Sequence, residues 1–480
     1  MTRRAALGPT LGLLTALLTG ACTVSPAAER TPSVTLSQPI DKADPRKVYV
    51  HMMPWFELGG LHWESIGRHY DPQIGEYHSG DYDVIEYQLL LMKYSGIDGV
   101  IIDWPGRSTM HDDLPDNAQN TDQIIEQTAK FGMEFAVCFE DQYATDTNDA
   151  INSMHWVRDH YFNRPNHIQI NGAPALFVFG PQRIGTGDWP AVLTATGTDP
   201  AFFTLWYNDE AGGARDGTYA WIYSDGLEGV SEYYERNDQG LKIPVLYPGF
   251  NAAYENGQPG WGLAYDLGGD TFTSLWNLAL NAGNVLQIAT WNDYTEGTMI
   301  EPSDEFGYRF LTTLQELVGA PYGEEELEIV RLLYDRRRAG DPNAETASQA
   351  LANLDVAAAC AALGCTAPVP GGNGGATGSG GATGNGGATS NGGTTSSGGT
   401  TGSSGASNGG TTARGGASGN GGTTSNGATT SGSDDDAGEE SGCSVSSASG
   451  SRSSAELWLC LAALAITLRR RRESTALPPG

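Results

Sequence analysis

Large side chains are missing from most of this chain. Of 480 residues, none before position 47 and none from 335 to 457 is aromatic; all but one of the aromatic residues fall between Tyr49 and Tyr334. A core needs such side chains, so one globular body of about 290 residues carries the fold, although the length alone allows two or three domains. Basic residues are also scarce, 27 Lys and Arg against 57 Asp and Glu, for a net charge of −30. That excludes nucleic acid, which needs a basic footprint, and disfavours a polyanionic substrate. A neutral polymer brings no charge to repel and fits. Metal chemistry has little support, since no HExxH occurs, all eight His lie at or before His167, and the six Cys form no CxxC pair. No GxGxxG follows the first strand, so no cofactor is expected.

The two ends point out of the cytoplasm. Arg3 and Arg4 precede an apolar run at 7–18, with small residues up to Cys22. This pattern predicts a signal peptide over 1–22, with lipoprotein acylation at Cys22 as one outcome and ordinary cleavage as the other. Residues 23–46 read as a linker. From 371 to 432 the chain is Gly, Ser, Thr, Asn and Ala with one Arg, and GG pairs recur every six residues from Gly374. A hexapeptide β-helix needs an aliphatic at each turn, and no Val, Ile, Leu or aromatic occurs between Val369 and Val445. Residues 366–442 are therefore expected to be a disordered spacer. An apolar run at 457–468 ends in four arginines. Its helix would span about 18 Å, short of the roughly 30 Å hydrocarbon core. With the Gly442-Cys443 upstream, residues 443–480 resemble the C-terminal sorting tails of myxobacterial surface proteins. The expected location is secreted or at the cell surface, held to the envelope by an N-terminal lipid, the tail, or both, as a monomer. Cys360 and Cys365 have the spacing for a small disulfide loop, and Cys138 reads as a buried thiol.

Residues 47–320 alternate strand and helix. Apolar, β-branched and aromatic runs predict strands at 47–53, 97–103, 133–140, 175–180, 201–208, 219–223, 242–247 and 285–291. Helical patterns fall between most of them, one capped by Asp81 and stopped at Gly96, another starting at Thr121 and stopped at Gly132. Eight buried runs alternating with helices imply an α/β fold, a (β/α)8 TIM-type barrel. The ten-residue link before Tyr219 is too short for a full helix, so the barrel is expected to be irregular. A doubly wound open sheet is the alternative. A helical extension at 321–365 follows.

In such a barrel the chemistry sits at the carboxyl ends of the strands. Those ends carry His51 and Trp55, Asp103 and Trp104, Glu140 and Asp141, Trp206 and Tyr207, Tyr247, and Trp291, Asn292, Asp293 and Glu296. Flat apolar faces beside fixed acids suit a pyranose, whose C–H faces pack on rings and whose hydroxyls bond to carboxylates and amides. Hydrolysis of a glycosidic bond needs two carboxyl groups, and Asp293 and Glu296, three apart at the last strand, are the expected catalytic pair. The other residues named are expected to bind substrate.

The stretch TWNDYTEGTMIEP, residues 290–302, resembles the W-N-E-x-x-E-G-T-x-I-E-P motif of glycoside hydrolase family 99. It is also similar to the W-N-D-Y-G-E of family 71. VYVHMMPW at 48–55, YDPQIGEYHSGD at 70–81 and GIDGVIIDWPG at 96–106 resemble the same two families. The resemblance implies a (β/α)8 barrel cleaving α-linked glycans. In family 99 the first motif carboxylate assists the sugar's own 2-hydroxyl in forming an anhydro intermediate with retention, and the second is the acid/base; those roles fall on Asp293 and Glu296. In family 71 the matching pair cleaves α-1,3-glucan with inversion. This chain has Asp293 where family 99 has Glu, and Thr295 and Gly297 where family 71 has Gly and Ser. The implied function is an extracellular, endo-acting hydrolase of α-mannan or α-glucan. The competing expectation is a non-catalytic glycan-binding module on the same scaffold.

Overall fold

The computed structural model describes residues 38–206, 211–222, 227–237, 240–253 and 266–368. The expected signal segment, spacer and tail lie outside these, except for the first residues of the spacer.

Eight parallel strand positions form the barrel wall. β1 (Lys47–Met52), β2 (Gly99–Trp104) and β3 (Glu134–Phe139) pair in register, with Val50 beside Val100 and Asp103 beside Cys138. A two-residue strand, β4 (Gln169–Ile170), makes a small antiparallel hairpin with β5 (Ala173–Val178), which returns to pair with β3. β6 (Ala201–Leu205) and β7 (Gly217–Tyr219) continue the wall. The seventh position is split at Pro244. Its first half, β8 (Leu241–Ile243), bonds to β7, and its second, β9 (Val245–Leu246), bonds to β10 (Val285–Ile288), which pairs with β1. Proline has no N–H for a ladder, so one half serves each neighbour and the ring of strands comes round. The barrel is the expected α/β fold. Its irregularity also lies where expected, because the link before β7 holds a single 3-10 turn at Gly212–Ala214 among the described residues.

Helices cover the outside. α1 (Tyr82–Tyr94) starts at Asp81, whose side chain accepts the Asp83 N–H, and stops at Ser95 before Gly96 in the left-handed region. α2 (Leu114–Thr128) begins seven residues before the expected Thr121. Pro115 in its first turn sets the start, and that polar turn carries no apolar stripe to reveal it. Among the described residues, α3 (Thr147–His160), the short α4 (Trp189–Thr194), α5 (Leu227–Glu235), α6 (Asp270–Ala279) and α7 (Arg309–Val318) follow.

Three further helices follow: α8 (Glu324–Arg338) and α9 (Ala344–Ala352) pack over α1, and α10 (Val356–Leu363) packs on those two. As a result α1 is buried on all sides from Val84 to Tyr94. Several of its polar groups find partners in this outer layer. The Arg337 guanidinium makes a two-pronged contact with Glu86 at 2.5 and 2.8 Å, and Lys93 donates to the carbonyls of Phe131 and Ala352. Burial lowers the Lys93 ammonium to about 8. A disulfide joins Cys360 and Cys365, while Cys138 is a free, buried thiol. Among the described residues no helix is long and apolar enough to cross a membrane.

Candidate active site

The chain leaving β10 does not extend the ladder as far as the sequence predicts. It turns back on itself. The Thr290 N–H donates to the Thr298 carbonyl at 3.0 Å, and the Ile300 N–H returns to Thr290 at 3.1 Å. Within this loop the Asp293 N–H donates to the Thr290 hydroxyl at 2.9 Å, and Thr298 N–H donates to the Asp293 carbonyl at 3.2 Å. Gly297 closes the turn at φ +65°, and a Cβ there would lie 2.7 Å from the Asn251 carbonyl oxygen, so only glycine fits.

Two anchors fix the loop, the first of them to the residue just past β1. The Asn292 amide accepts the Met53 N–H at 2.8 Å and donates to the Met53 carbonyl at 3.0 Å and to the Tyr77 hydroxyl at 3.1 Å. The second anchor is Glu301. It lies inside the quoted motif, and sequence reasoning did not single it out. Its buried carboxyl accepts from Tyr77 (2.8 Å), Tyr294 (3.0 Å) and Gln88 (2.8 Å). Burial pushes this group up to about 7, against the pull of those donors.

Asp293 is 6 % exposed, and its Oδ1 accepts the Glu296 backbone N–H at 2.9 Å. Glu296 itself is half-buried beside it. Two more acids crowd in from neighbouring strand ends. Asp103, near the end of β2, and Glu140, just past β3, are 3 % and 7 % exposed. Burial, then the charge of Asp103, pushes Glu140 up to about 8. Burial first, with Asp103 again contributing, pushes Asp293 up to about 7. Among the described residues no Lys or Arg pairs with any of these three; the one basic partner is His51, with Nδ1 3.0 Å from Asp103 Oδ1, while Glu140 accepts from the Gln142 amide at 2.6 Å. A cluster of acids without countercharge cannot ionise fully, so it holds a proton near neutral pH. That is what general acid–base chemistry needs.

The remaining candidates lie at varied depth. Trp55 is half-buried after β1 and stacks on His62 at 5.0 Å. Trp104 and Trp291 are wholly buried, Trp104 against Phe139 and Tyr161. Asp141 accepts backbone N–H groups from Gln182, Arg183 and Ile184, which fastens the loop after β5. Trp206 packs edge-on against Tyr233, and Tyr247 is buried just past β9. Tyr207 lies outside the described residues. The only group of His, Cys, Asp or Glu among the described residues with metal-ligand spacing is His51, Asp103 and Cys138.

Glycoprotein endo-alpha-1,2-mannosidase of Xenopus laevis is 22 % identical to this chain over 275 residues, covering 50 % of this chain and 59 % of that protein. The Mus musculus protein of the same name is 21 % identical over 270 residues, covering 50 % and 57 %. The chain thus spans a little over half the length of these relatives. A solved structure of a GH99 endo-alpha-mannosidase from Bacteroides thetaiotaomicron is 16 % identical, with a TM-score of 0.47, over 61 % of this chain and 99 % of that one. The model of Glycosyl hydrolase family 99 matches residues 58–306, just over half of the chain and including the strand-ten loop with Asp293 and Glu296, and the chain belongs to that family.

Proposed function

We propose that this chain is a surface-displayed endo-acting hydrolase of a neutral α-mannan, with Asp293 and Glu296 as its catalytic pair. One observation carries the reading: Asp293 is a buried carboxyl titrating near neutral pH, tied through the Glu296 N–H to a second, half-buried carboxyl on the same pinned loop. A base works best when its pKa lies near the operating pH. Ionised, Asp293 takes the proton of the sugar's 2-hydroxyl as that oxygen attacks C1, while Glu296 protonates the departing oxygen. Water then attacks C1 and gives its proton to Glu296, while the C1–O2 bond breaks and Asp293 returns its proton to O2. This route needs the 2-hydroxyl on the face opposite the leaving group. An α-mannoside has that arrangement and an α-glucoside does not, which favours mannan over glucan. The names of the relatives agree with this choice. The signal-like N-terminus and the glycine-rich spacer support a location outside the cytoplasm on a tether.

The test is digestion of α-mannan and α-1,3-glucan by the full chain, with reducing ends counted and the product anomer read by NMR. Mannan is expected to be cleaved internally with retention. Glu296→Gln is expected to lower kcat by about 10²–10⁴-fold with glycan binding intact. Unchanged turnover in that variant removes Glu296 from the chemistry. Saturable binding by the parent with no new reducing ends leaves a glycan-binding module instead.

A further inference from the structure

Beneath the crowded acids the barrel interior holds a short polar string. His51, the fifth residue of β1, has no exposed surface. The rings of Tyr219 and Trp221 pack on it at 5.5 and 4.8 Å. A carboxylate oxygen only accepts, so His51 Nδ1–H donates to Asp103 at 3.0 Å. His51 Nε2 has no hydrogen-bond partner among the described residues. Cys138, beside Asp103 in the register of β3, continues the string with its Sγ 3.4 Å from the Tyr219 hydroxyl. Tyr219 gives its own proton to the Val178 carbonyl at 2.9 Å, so the thiol donates to the phenol oxygen. Burial holds that thiol protonated.

An imidazole sealed in this way cannot touch a sugar. It touches Asp103, and Asp103 faces the reacting group. Resting on the function proposed above, we propose that His51 and Asp103 are positioning residues of the reaction, the buried imidazole holding the Asp103 carboxyl in place beside Glu140 and Asp293. Among the described residues, the titratable groups that interact with Asp103 are His51 on β1, Cys138 and Glu140 on and after β3, and Asp293 after β10. His51 is the one of these that can carry positive charge. It fixes the carboxylate through one hydrogen bond, and the Tyr219 and Trp221 rings keep that bond dry.

The test compares Asp103→Asn, His51→Asn and His51→Leu in the full chain. Asparagine puts an amide N–H where Nδ1–H stood, and leucine puts none. Titration is read from side-chain carboxyl ¹³C resonances, which need no turnover, and from the pH profile of kcat/KM on mannan. In Asp103→Asn the two raised carboxyl midpoints are expected to fall by about one pH unit, and the acid limb of the profile to move with them. His51→Leu is expected to do the same and to lower kcat about ten-fold at little change in KM, while His51→Asn keeps the parent's midpoints and most of its kcat. Midpoints unmoved in both Asp103→Asn and His51→Leu overturn the proposal. Should Asp103→Asn not fold, equal loss in His51→Asn and His51→Leu overturns it by showing a packing role alone. A parent that cleaves no glycan defeats the proposed function, yet the resonance midpoints still decide this one.

Discussion

The same two strands carry an acid at each end, and the ends differ. At the base of the barrel, Asp98 precedes β2 and Glu134 begins β3. Asp98 is bonded to Lys42, lies 3.4 Å from Lys47 Nζ, and accepts the Val48 N–H at 2.8 Å. Glu134 accepts from Lys47 at 3.1 Å and from the Tyr49 hydroxyl at 2.6 Å. At the mouth, Asp103 and Glu140 stand with Asp293, and an imidazole is their nearest basic neighbour. Five or six residues along one strand therefore separate a carboxylate paired with lysine from one with no lysine or arginine beside it. The difference lies in what was placed beside them. At the base, lysines pair with the acids. At the mouth, burial and like charge make ionisation costly.

Removing a mouth acid should cost activity and relieve the fold. Asp293→Asn is expected to lower kcat by about 10³-fold. It should also change how stability varies with pH. In the unfolded chain Asp and Glu titrate near 3.8 and 4.5, while in the native mouth Asp293 and Glu140 titrate near 7 and 8. Between those values the native state holds protons that the unfolded chain has released. Stability from these groups is therefore full below about 4 and is lost as pH rises to about 8. Asp293→Asn flattens that decline, as melts at pH 5 and pH 8 would show; a slope parallel to the parent's breaks the comparison.

Removing a base acid should do the reverse. Asp98→Asn strands the buried Lys42 ammonium and is expected to cost roughly 3 kcal/mol in denaturant unfolding, with kcat per folded molecule unchanged. The smallest effect belongs to Lys47→Gln. Its side chain is 42 % exposed, so the loss should stay below about 1 kcal/mol and shrink further in salt. A larger loss would mean that the base works as one cooperative network.

How far the site was legible follows from these particulars. Asp103 and Glu140 announced themselves because acids ending apolar runs are conspicuous, and the motif around Asp293 is specific. Burial of Trp104 follows from strand alternation, since a neighbour of an inward Asp103 must face the helices. Glu301 and Tyr77 gave no signal of their own; their meeting joins positions 224 residues apart. The early start of α2 was hidden by its polar first turn, and the break at Pro244 shows its purpose only once β7 and β10 stand on either side of it.

Sequence alone determined the barrel, because apolar runs of strand length alternating with helical stripes leave few other ways to bury a core, and it determined which acids end the strands. It did not determine which of those acids would be free of countercharge. That depends on distance across strands remote in the chain, on Lys42 reaching Asp98, and on His51 being the one basic group, among the described residues, that reaches Asp103. Electrostatic energy depends on separation and burial, and closing the barrel set both.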